Sequence, residues 1–328
     1  MLKCCDVHVF MSVSGVSQWY MEGRAKYGRN GYIQASKTFD DISSKSMTGK
    51  VVAVTGANSG IGYATAMRLA EMDADVHLVC RNPDKSKEAR ENIIASTGNS
   101  KVYSHVCDVA VLASVRAFGT SFVQKFPRLD ILVNNAGSMP STRTKTSEGN
   151  ECIMATMLGG TMLLTDLLVP SLRQSEDARV INVSSGGAYG VKAHTTDLNC
   201  DSLVTYDGTF FYAMAKRNQI ILTEMWDAFL RAQHIPITVH AMHPGWASTQ
   251  GLQAAMPDFH KSHVDTLRTA AEGADTIVYL ACSDSESVKY QGSTSGGKFW
   301  FDRHIVPAHM PWAGTDSTDA EKRDLSSV

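Results

Sequence analysis

Tyr212 and Lys216 lie four residues apart in the segment GTFFYAMAKRNQ, residues 208–219, with only alanine and methionine between them. Residues at this spacing share one face of an α-helix. A free tyrosine has a pKa of about 10, which is too high for a ready base near neutral pH. A lysine ammonium group near the hydroxyl would stabilise the phenolate. Tyr212 could then give a proton to a carbonyl oxygen as a hydride arrives, or remove one from an alcohol.

Two further motifs bear on the alternative, in which a half-buried tyrosine simply lies beside a lysine that extends to solvent. Ser185, in NVSSGG, follows a predicted strand, where its hydroxyl could bind the substrate oxygen. HPGWAST, residues 243–249, follows another predicted strand and could close over a nicotinamide ring. Together the motifs favour catalysis. The candidate catalytic residues are Ser185, Tyr212 and Lys216, and the candidate cofactor contacts of the later loop are Pro244, Gly245 and Thr249.

The segment TGANSGIG, Thr55 to Gly62, follows the first predicted strand and opens a helix. Glycines at these positions allow a tight turn, a close approach of the backbone to a pyrophosphate and close packing of the helix on the sheet. The amide groups at the N-terminus of the helix would face the phosphates. An ordinary strand-to-helix turn also favours glycine, but the position in the first βαβ unit favours a dinucleotide. The predicted cofactor contacts are Gly56, Asn58, Ser59, Gly60, Ile61 and Gly62.

The end of the second predicted strand bears on which dinucleotide is bound. A carboxylate there would accept a hydrogen bond from the ribose 2′-hydroxyl of NAD, whereas an arginine would pair with the 2′-phosphate of NADP. The sequence has Cys80-Arg81-Asn82, with no acidic residue before Asp84. Although Arg81 could be a solvated surface residue, the missing carboxylate favours NADP(H), with NAD(H) as the alternative. Arg81 and Asn82 are the predicted contacts.

Two more loops are predicted at the carboxyl ends of strands, where open α/β sheets bind their ligands. Asp108, followed by Val109, could accept a hydrogen bond from an adenine amino group, cap the next helix, or do both. In Asn134-Asn135-Ala136-Gly137, the asparagines could brace the central crevice of the sheet and the glycine could let a cofactor approach the backbone. The predicted contacts of these loops are Asp108, Val109, Asn135, Ala136 and Gly137.

Short β-branched runs alternate along the chain with longer segments of helical period. These elements must position the candidate catalytic and cofactor-binding residues. The alternation predicts βαβ units, and hence a doubly wound α/β Rossmann fold with a mostly parallel, seven-stranded sheet and helices on both faces. The predicted strands are KVVAVT (50–55), DVHLVC (75–80), KVYSHVC (101–107), DILVN (130–134), RVINVS (179–184), ITVHAM (237–242) and KFWF (298–301).

The chain divides into three predicted parts. Residues 1–46 form an N-terminal arm, residues 47–313 form the Rossmann domain with a substrate lid at about 246–268, and residues 314–328 form a flexible, polar tail. The arm contains QWYMEGRAKYGRNGY, which predicts either a short helix packed on the domain or an anchor at a membrane surface. In the lid, Trp246, Leu252 and MPDF could line an apolar pocket or pack on the domain itself.

Composition excludes some classes of function. The 31 basic and 33 acidic residues leave no positive excess for a nucleic acid partner. Seven cysteines, an odd number in no paired spacing, indicate reduced thiols in an intracellular, cytoplasmic protein. Adjacent Cys4 and Cys5 do not have a metal-ligand spacing, so no metal site is predicted. The longest apolar run, around Met162 to Val169, is shorter than the ~20 residues of a membrane-spanning helix.

TGANSGIG, NNAG, VSS, YAMAK and HPGW occur in the order found in the short-chain dehydrogenase/reductase family, which the chain resembles from about Lys50 to Phe301. The CRN sequence and the long gap between serine and tyrosine resemble the retinol-dehydrogenase branch. The resemblance implies a substrate-orienting Ser185, a proton-transferring Tyr212 and a Lys216 that binds the nicotinamide ribose. It also implies cofactor contacts at Gly56, Ser59, Ile61, Arg81, Asp108, Asn135 and Thr249.

One position departs from the family pattern. Most relatives have an asparagine three residues before a glycine, where it holds a water that passes protons to the lysine, but CIMATMLGG has Thr156 there. Turnover could therefore be slower, or another group could complete the relay. Relatives also often pair through two helices, which here contain apolar residues 157–168 and 220–230 and predict a homo-oligomer.

The sequence thus predicts an NADP(H)-dependent oxidoreductase that interconverts a carbonyl and an alcohol on a small or medium apolar substrate. A steroid, a retinoid, a fatty aldehyde and a xenobiotic carbonyl all fit this description. The alternative is a dinucleotide-binding sensor or scaffold with weak or lost turnover. An epimerase or dehydratase of the extended branch is a third reading, which the glycine spacing and the lack of a larger C-terminal domain disfavour.

Overall fold

A single eight-stranded sheet forms the centre of the protein, with strand order β3-β2-β1-β4-β5-β6-β7-β8. The computed structural model describes residues 13–199, 201, 205–290, 296–310 and 313–326. Residues 1–12 of the predicted arm, including Cys4 and Cys5, lie outside the described residues. The strands are β1 (Val51–Thr55), β2 (Asp75–Cys80), β3 (Val102–Val106), β4 (Ile131–Asn134), β5 (Ala178–Val183), β6 (Ile237–Met242), β7 (Lys298–Phe301) and β8 (His304–Val306).

The first seven strands are parallel, and successive residues of β1 show why they are nearly all apolar. Val52 and Val54 enter one core layer, whereas Ala53 enters the layer on the opposite face. Every residue of β5 and β6 is buried. A parallel sheet covered by helices on both faces requires apolar residues at consecutive positions. The predicted doubly wound fold is confirmed.

The eighth strand is a correction to the predicted seven. β8 is antiparallel to β7, with Trp300 opposite Ile305. The turn between them places Asp302 and Arg303 at φ 48° and 60°. Hairpin turns of this kind favour asparagine, aspartate or glycine followed by glycine at positive φ. Because Arg303 stands where glycine is preferred and β8 has only three residues, the hairpin signal in the sequence is weak.

Two helical layers cover the sheet. Leu69 of α3, Ile93 of α4 and Ile277 of α11 share one core layer, while Phe122 of α5 and Leu168 of α7 belong to the other. The helices are α1 (Val13–Lys26), α2 (Arg29–Ala35), α3 (Gly60–Glu71), α4 (Pro83–Thr97), α5 (Leu112–Lys125), α6 (Cys152–Met154), α7 (Thr161–Leu172), α8 (Gly208–Ala232), α9 (Gln250–Ala255), α10 (Pro257–His263), α11 (Ala270–Cys282) and α12 (Asp319–Ser326).

A π-helical turn, Ala155–Gly160, joins α6 and α7 into one continuous helix, Cys152–Leu172. This helix has the length and apolarity to cross a membrane, but 61% of its most apolar window is buried inside the fold. The core helix of a globular domain has the same properties. Its central turn carries Thr156, so the helix belongs to the candidate site.

The N-terminal arm packs against the domain, which corresponds to the first of its two predicted arrangements. α1 and α2 lead into a short 3₁₀ helix, Ser36–Thr38. Tyr27 is buried, and its ring lies 5.2 Å from that of Phe301, centroid to centroid.

The C-terminal segment differs from the predicted flexible tail, because it contains α12. Leu325 is buried in a cluster with Ile221 and Leu222 of α8. The guanidinium of Arg217 donates hydrogen bonds to the carbonyl oxygens of Ala308 and Thr315. The polar composition of the segment gives no indication of these contacts, because Leu325 is the one buried apolar side chain among the described residues of α12.

The predicted surplus apolar face on the two long helices is largely used within the chain. Met157, Leu164 and Leu168 are buried in the core, as are Ile220 and Leu230 of α8. Phe229 is an exception, with 61% of its surface exposed. A homo-oligomer remains a prediction, but the two helices offer it less apolar surface than the sequence indicated.

Candidate active site

The glycine loop between β1 and α3 is packed so closely that side chains are excluded. A Cβ on Gly62 would lie 2.4 Å from Nδ2 of Asn135 and 2.5 Å from the carbonyl oxygen of Gly56. Gly56 and Gly60 have φ of 65° and 57°, a region that favours glycine. Ser59 precedes α3 and makes no side-chain bond to its first turn. The loop, with Asn58 and Ile61 half-buried beside these glycines, leaves the N-terminus of α3 available to an anion.

The NNAG segment after β4 braces this loop. The Thr55 hydroxyl oxygen accepts hydrogen bonds from the backbone amides of Asn135 and Ala136, each at 2.9 Å. Asn135 Nδ2 donates to the Thr55 carbonyl oxygen at 2.9 Å. Asn134 Nδ2 donates to Asn182 Oδ1 at 2.9 Å, which links β4 to β5. The predicted bracing of the crevice is therefore present in the geometry.

The neighbouring strand ends bring the other predicted cofactor residues to the same edge. Arg81 is exposed at the end of β2. Asn82 is the N-cap of α4, where its Oδ1 accepts the amide hydrogen of Lys85 at 2.9 Å. Cys80, one residue before Arg81, contacts the glycine loop through the backbone amides of Ala57 and Asn58.

Asp108 does not cap α5, so this structural alternative is wrong. The N-cap residue is Val111, and the Asp108 carboxylate instead accepts the amide hydrogen of Ala110 at 3.0 Å. The N-terminus of α5 is bound by Glu148, whose carboxylate accepts from Leu112 and Ala113. Glu148 lies 36 residues from the helix that it caps, so no local sequence pattern indicates this contact.

Val109 joins this edge to the helix that carries Thr156. A Cβ on Gly160 would lie 1.7 Å from the Val109 carbonyl oxygen. Only glycine fits so close to that carbonyl, and the contact holds the π-helical turn against the loop after β3.

The catalytic candidates Ser185, Tyr212 and Lys216 lie together. Ser185 follows β5 and precedes a 3₁₀ helix, Gly186–Gly190, and its Oγ accepts the amide hydrogen of Gly187 at 3.1 Å. Burial raises the pKa of Tyr212 to about 12, and a hydrogen bond with the Ser185 side chain lowers it in part. Lys216 Nζ lies 5.5 Å from the Tyr212 ring centroid. Tyr212 is therefore protonated at neutral pH.

Lys216 is buried, with 2% of its surface exposed, and its ammonium group has two acceptors within the protein. Nζ donates to the Val183 carbonyl oxygen at 2.6 Å and to Gln219 Oε1 at 3.0 Å. Burial lowers the pKa of Lys216 to about 7, while the two acceptors favour the charged form. A Cβ on Gly137 would lie 3.7 Å from Nζ, so the lysine also borders the NNAG segment.

Gln219, which was not among the predicted site residues, links Lys216 to the π-helical turn. Its Nε2 donates to the Met157 carbonyl oxygen at 2.9 Å, while its Oε1 accepts from Lys216. Thr156 is turned away from this connection, because its hydroxyl donates to the Cys152 carbonyl oxygen at 2.7 Å. The i, i+3 spacing of Lys216 and Gln219 on one helix is the sequence signal that could have revealed the pair.

The loop after β6 returns to the glycine loop. Pro244 and Gly245 are half-buried, and Gly245 has a φ of 74°. Thr249 caps α9 by accepting the amide hydrogen of Leu252 at 3.1 Å. A Cβ on Gly60 would lie 3.3 Å from Cγ2 of Thr249, so the start of the lid lies over the glycine loop.

The geometry fits a nicotinamide dinucleotide. The close-packed glycines, the open helix terminus and the catalytic side chains lie at the carboxyl edge of one parallel sheet, where such ligands bind. A separate cleft of about 840 Å³ lies between residues 32–43, α3 and α11, and none of the predicted site residues lines it. Among the described residues, no group of three or more His, Cys, Asp or Glu could hold a metal ion.

Comparison with known proteins agrees with this geometry. A family model described as short chain dehydrogenase matches residues 50–197. Human "Dehydrogenase/reductase SDR family member 12" is 39% identical over 313 residues, which cover 94% of this chain and 95% of that protein. Mouse "Retinol dehydrogenase 11" is 34% identical over 244 residues, covering 74% and 76% of the two chains.

Solved structures share the fold. A short chain dehydrogenase from Escherichia coli complexed with NADPH has a TM-score of 0.62 and 20% identity, with 79% of this chain and 98% of that chain covered. Levodione reductase has a TM-score of 0.58 and 23% identity, with 73% and 92% covered. The chain belongs to the short-chain dehydrogenase/reductase family, in its retinol-dehydrogenase-like branch, and is an oxidoreductase that takes a nicotinamide dinucleotide and a small-molecule substrate.

Proposed function

We propose that this protein interconverts a carbonyl and an alcohol on an apolar substrate of small or medium size, with NADP(H) as its preferred cofactor. The observation that carries the proposal is the grouping of Ser185, Tyr212 and Lys216 beside the glycine loop. Bound NADPH supplies the hydride that reaches the carbonyl carbon. The residues of the chain supply orientation and the proton.

Tyr212 is the proposed proton donor during reduction. Its pKa, raised to about 12 by burial, keeps the hydroxyl protonated at neutral pH. The proton passes from the Tyr212 hydroxyl to the carbonyl oxygen, which becomes the alcohol. Ser185, hydrogen-bonded to Tyr212, holds that oxygen in place. In the reverse direction, the same hydroxyl group must first lose its proton, so oxidation is favoured at higher pH.

Lys216 is proposed to bind the nicotinamide ribose and to stabilise the tyrosinate after proton transfer. An ammonium group has three donors, and Val183 and Gln219 accept two of them. One donor is thus available for the ribose or for Tyr212. The two protein acceptors fix the direction of this third donor.

Gln219 is proposed to position Lys216, a role that Thr156 does not fill. The hydroxyl hydrogen of Thr156 is held by Cys152, four residues earlier. Gln219 instead connects Lys216 directly to the carbonyl group of Met157 on the same π-helical turn. This connection positions the lysine and favours its charged form without a bridging water.

NADP(H) preference rests on Arg81. The side chain is exposed beside the glycine loop, at the strand end where a carboxylate would select NAD(H). The Oδ1 atom of Asn82 caps α4. Its proposed contact with the cofactor therefore involves the Nδ2 amide group or the backbone.

A dinucleotide-binding sensor with little turnover is the second candidate. The position of Thr156 favours it, because the hydroxyl contributes nothing to Lys216. Both candidates have the same proposed localisation. We place the protein inside the cell, because Cys80, Cys107 and Cys282 are buried free thiols.

A screen of the purified protein separates the two candidates. NADPH oxidation is followed by the absorbance of the reduced nicotinamide with decanal, retinal and a steroid ketone as substrates. If the protein is an enzyme, we expect turnover of at least one carbonyl compound at a micromolar to millimolar substrate concentration. Tight binding of NADPH without oxidation by any member of the panel would instead support the sensor.

A further inference from the structure

The backbone of the N-terminal arm is bonded to both ends of the lid. The Tyr27 carbonyl oxygen accepts from the Trp246 amide and from Arg268 Nε, each at 2.8 Å. Arg268 Nη2 donates to the Lys26 carbonyl oxygen at 2.9 Å. The Arg29 amide donates to the Thr266 carbonyl oxygen at 2.8 Å. The arm therefore closes a loop of hydrogen bonds across the base of the lid.

Aromatic side chains extend this connection into the lid. A Cβ on Gly23 would lie 2.6 Å from the Trp246 ring, so α1 fits against the indole only because this residue is glycine. The rings of Trp19 and Tyr20 lie 6.2 Å and 5.9 Å from that of Trp246. The Tyr20 hydroxyl is hydrogen-bonded to Nε2 of His263 at 3.0 Å.

The same helix also reaches the serine loop, residues 185–190. Trp19 Nε1 donates to the Gly186 carbonyl oxygen at 2.9 Å, across 167 residues of sequence. Gly186 immediately follows Ser185, whose own carbonyl accepts the amide hydrogen of Ala188 at 3.0 Å. The indole also packs on the cluster that contains Ala188 and Tyr189.

We propose that the N-terminal arm is a structural part of the substrate site, in which Trp19 is a positioning residue for Ser185 and Tyr20 is one for the lid. α1 thus contacts both the serine loop and the lid, the two segments between which the substrate is proposed to bind. The inference rests on the proposed role of Ser185. It assigns to the arm control over substrate binding, separate from the cofactor contacts of the glycine loop.

Trp19→Phe tests the inference, because it retains an aromatic ring and removes the indole donor. Met21→Ala is the matched control, since Met21 lies on the same helix with 64% of its surface exposed. Loss of one hydrogen bond to a backbone carbonyl should raise amide exchange in residues 186–190 about tenfold, and should raise KM for decanal by a similar factor. KM for NADPH should stay at the parent value, and the midpoint of unfolding should fall by no more than the loss of one hydrogen bond produces.

Hydrogen exchange measures the arm independently of turnover. Exchange in residues 186–190 at the parent rate would overturn the role of Trp19, whatever the activity. A Trp19→Phe protein with faster exchange but parental KM for decanal would overturn its effect on substrate binding. If the parent protein reduces no carbonyl compound, the proposed function fails. Faster exchange in Trp19→Phe would still show that the arm stabilises the serine loop.

Tyr20→Phe provides a second variant should Trp19→Phe fail to fold. It removes the hydroxyl bonded to His263 and leaves the ring beside Trp246. Exchange in residues 257–263 should rise while that in residues 186–190 stays unchanged. Parental exchange in residues 257–263 would overturn the proposed hold on the lid.

Discussion

The glycine-loop region, residues 50–137, and the arm-and-lid region, residues 13–46 and 246–268, are stabilised by different kinds of contact. In the first, Asn135 and Thr55 are 80 residues apart, and the side chain of each is hydrogen-bonded to the backbone of the other beside the close-packed glycines. In the second, Arg268 reaches the Tyr27 carbonyl oxygen across 241 residues, and the rings of Trp19 and Tyr20 pack beside that of Trp246.

This difference separates what binds the cofactor from what shapes the substrate site. The glycine-loop region depends on the absence of side chains at a few backbone positions, which any member of the fold must satisfy. The arm-and-lid region depends on particular side chains whose partners are distant in the sequence. Substitutions in the two regions should therefore have separable effects on NADPH binding and on substrate binding.

Tyr212→Phe should produce the largest effect. Tyr212 belongs to neither of the two regions. General acid–base groups typically contribute about 10²–10⁴-fold in rate, so kcat/KM for a confirmed carbonyl should fall by that factor. NADPH affinity, measured by tryptophan fluorescence, should change little because only a hydroxyl is lost. Tyr279→Phe, a buried tyrosine of α11, is the control. Reduction by Tyr212→Phe at the parent rate would show that the chemistry occurs elsewhere.

The glycine-loop region was predictable from sequence for a physical reason. The backbone conformation at Gly56 and Gly60 and the space beside Gly62 require glycine, so the requirement is visible in the residue types themselves. The doubly wound, mostly parallel sheet followed equally from the alternation of short apolar runs with helical segments. Ser185 could be placed in the site because it follows a recognisable strand, and Tyr212 and Lys216 could be paired because their four-residue spacing puts them on one helix face.

The arm-and-lid region could not be predicted in the same way. Nothing near Trp19 in the sequence indicates that its indole meets Gly186, and Arg268 has no local pattern that predicts its contact with Asp302. Gln219 and Glu148 also bind partners supplied by other elements. The polar C-terminal segment gave a prediction of flexibility because the buried Leu325 is a single apolar residue among charged ones.

Arg268→Met tests how much the arm-and-lid region depends on one buried ion pair. Arg268 is 1% exposed and pairs with Asp302 while its guanidinium also holds the arm. Breaking a buried pair leaves an uncompensated carboxylate and typically destabilises a protein by about 3–5 kcal/mol. Chemical unfolding measures this loss.

Arg68→Met is the control for that substitution, since the exposed Arg68–Glu71 pair on α3 should contribute no more than about 1 kcal/mol. Equal stabilities of the two variants would contradict the contrast between the regions.

Arg81→Ala should affect only the glycine-loop region. A charge-assisted hydrogen bond to phosphate contributes roughly 1.5–3 kcal/mol, which corresponds to about 10–100-fold in the dissociation constant of NADPH. The affinity for NADH should stay unchanged because it has no 2′-phosphate. Lys87→Ala removes an exposed positive charge from α4, the helix that follows Arg81, and serves as the control. A loss of affinity shared equally by both nucleotides would argue against the NADP(H) preference.

The pH dependence of reduction should show the smallest effect, and it depends on Lys216, which borders the glycine-loop region at Gly137. With a pKa of about 7, Lys216 is charged below that pH and loses its proton as the pH rises through it. If the ammonium supports proton transfer, kcat/KM for carbonyl reduction has a plateau below pH 7 and falls above it. Measurement of kcat/KM between pH 5.5 and 9, at saturating NADPH, gives the pH at which this fall occurs.

Variants of Gln219 should move that fall in opposite directions. Gln219→Glu places a carboxylate beside Lys216 Nζ, which raises the pKa of the lysine and shifts the fall to higher pH by about one unit. Gln219→Leu removes an acceptor from the ammonium and shifts the fall to lower pH. Gln233→Glu adds the same charge at the exposed end of α8 and should leave the profile in place. If both Gln219 variants keep the parental profile, the group that titrates is not Lys216, and the direct connection from the lysine to Met157 has no part in the reaction.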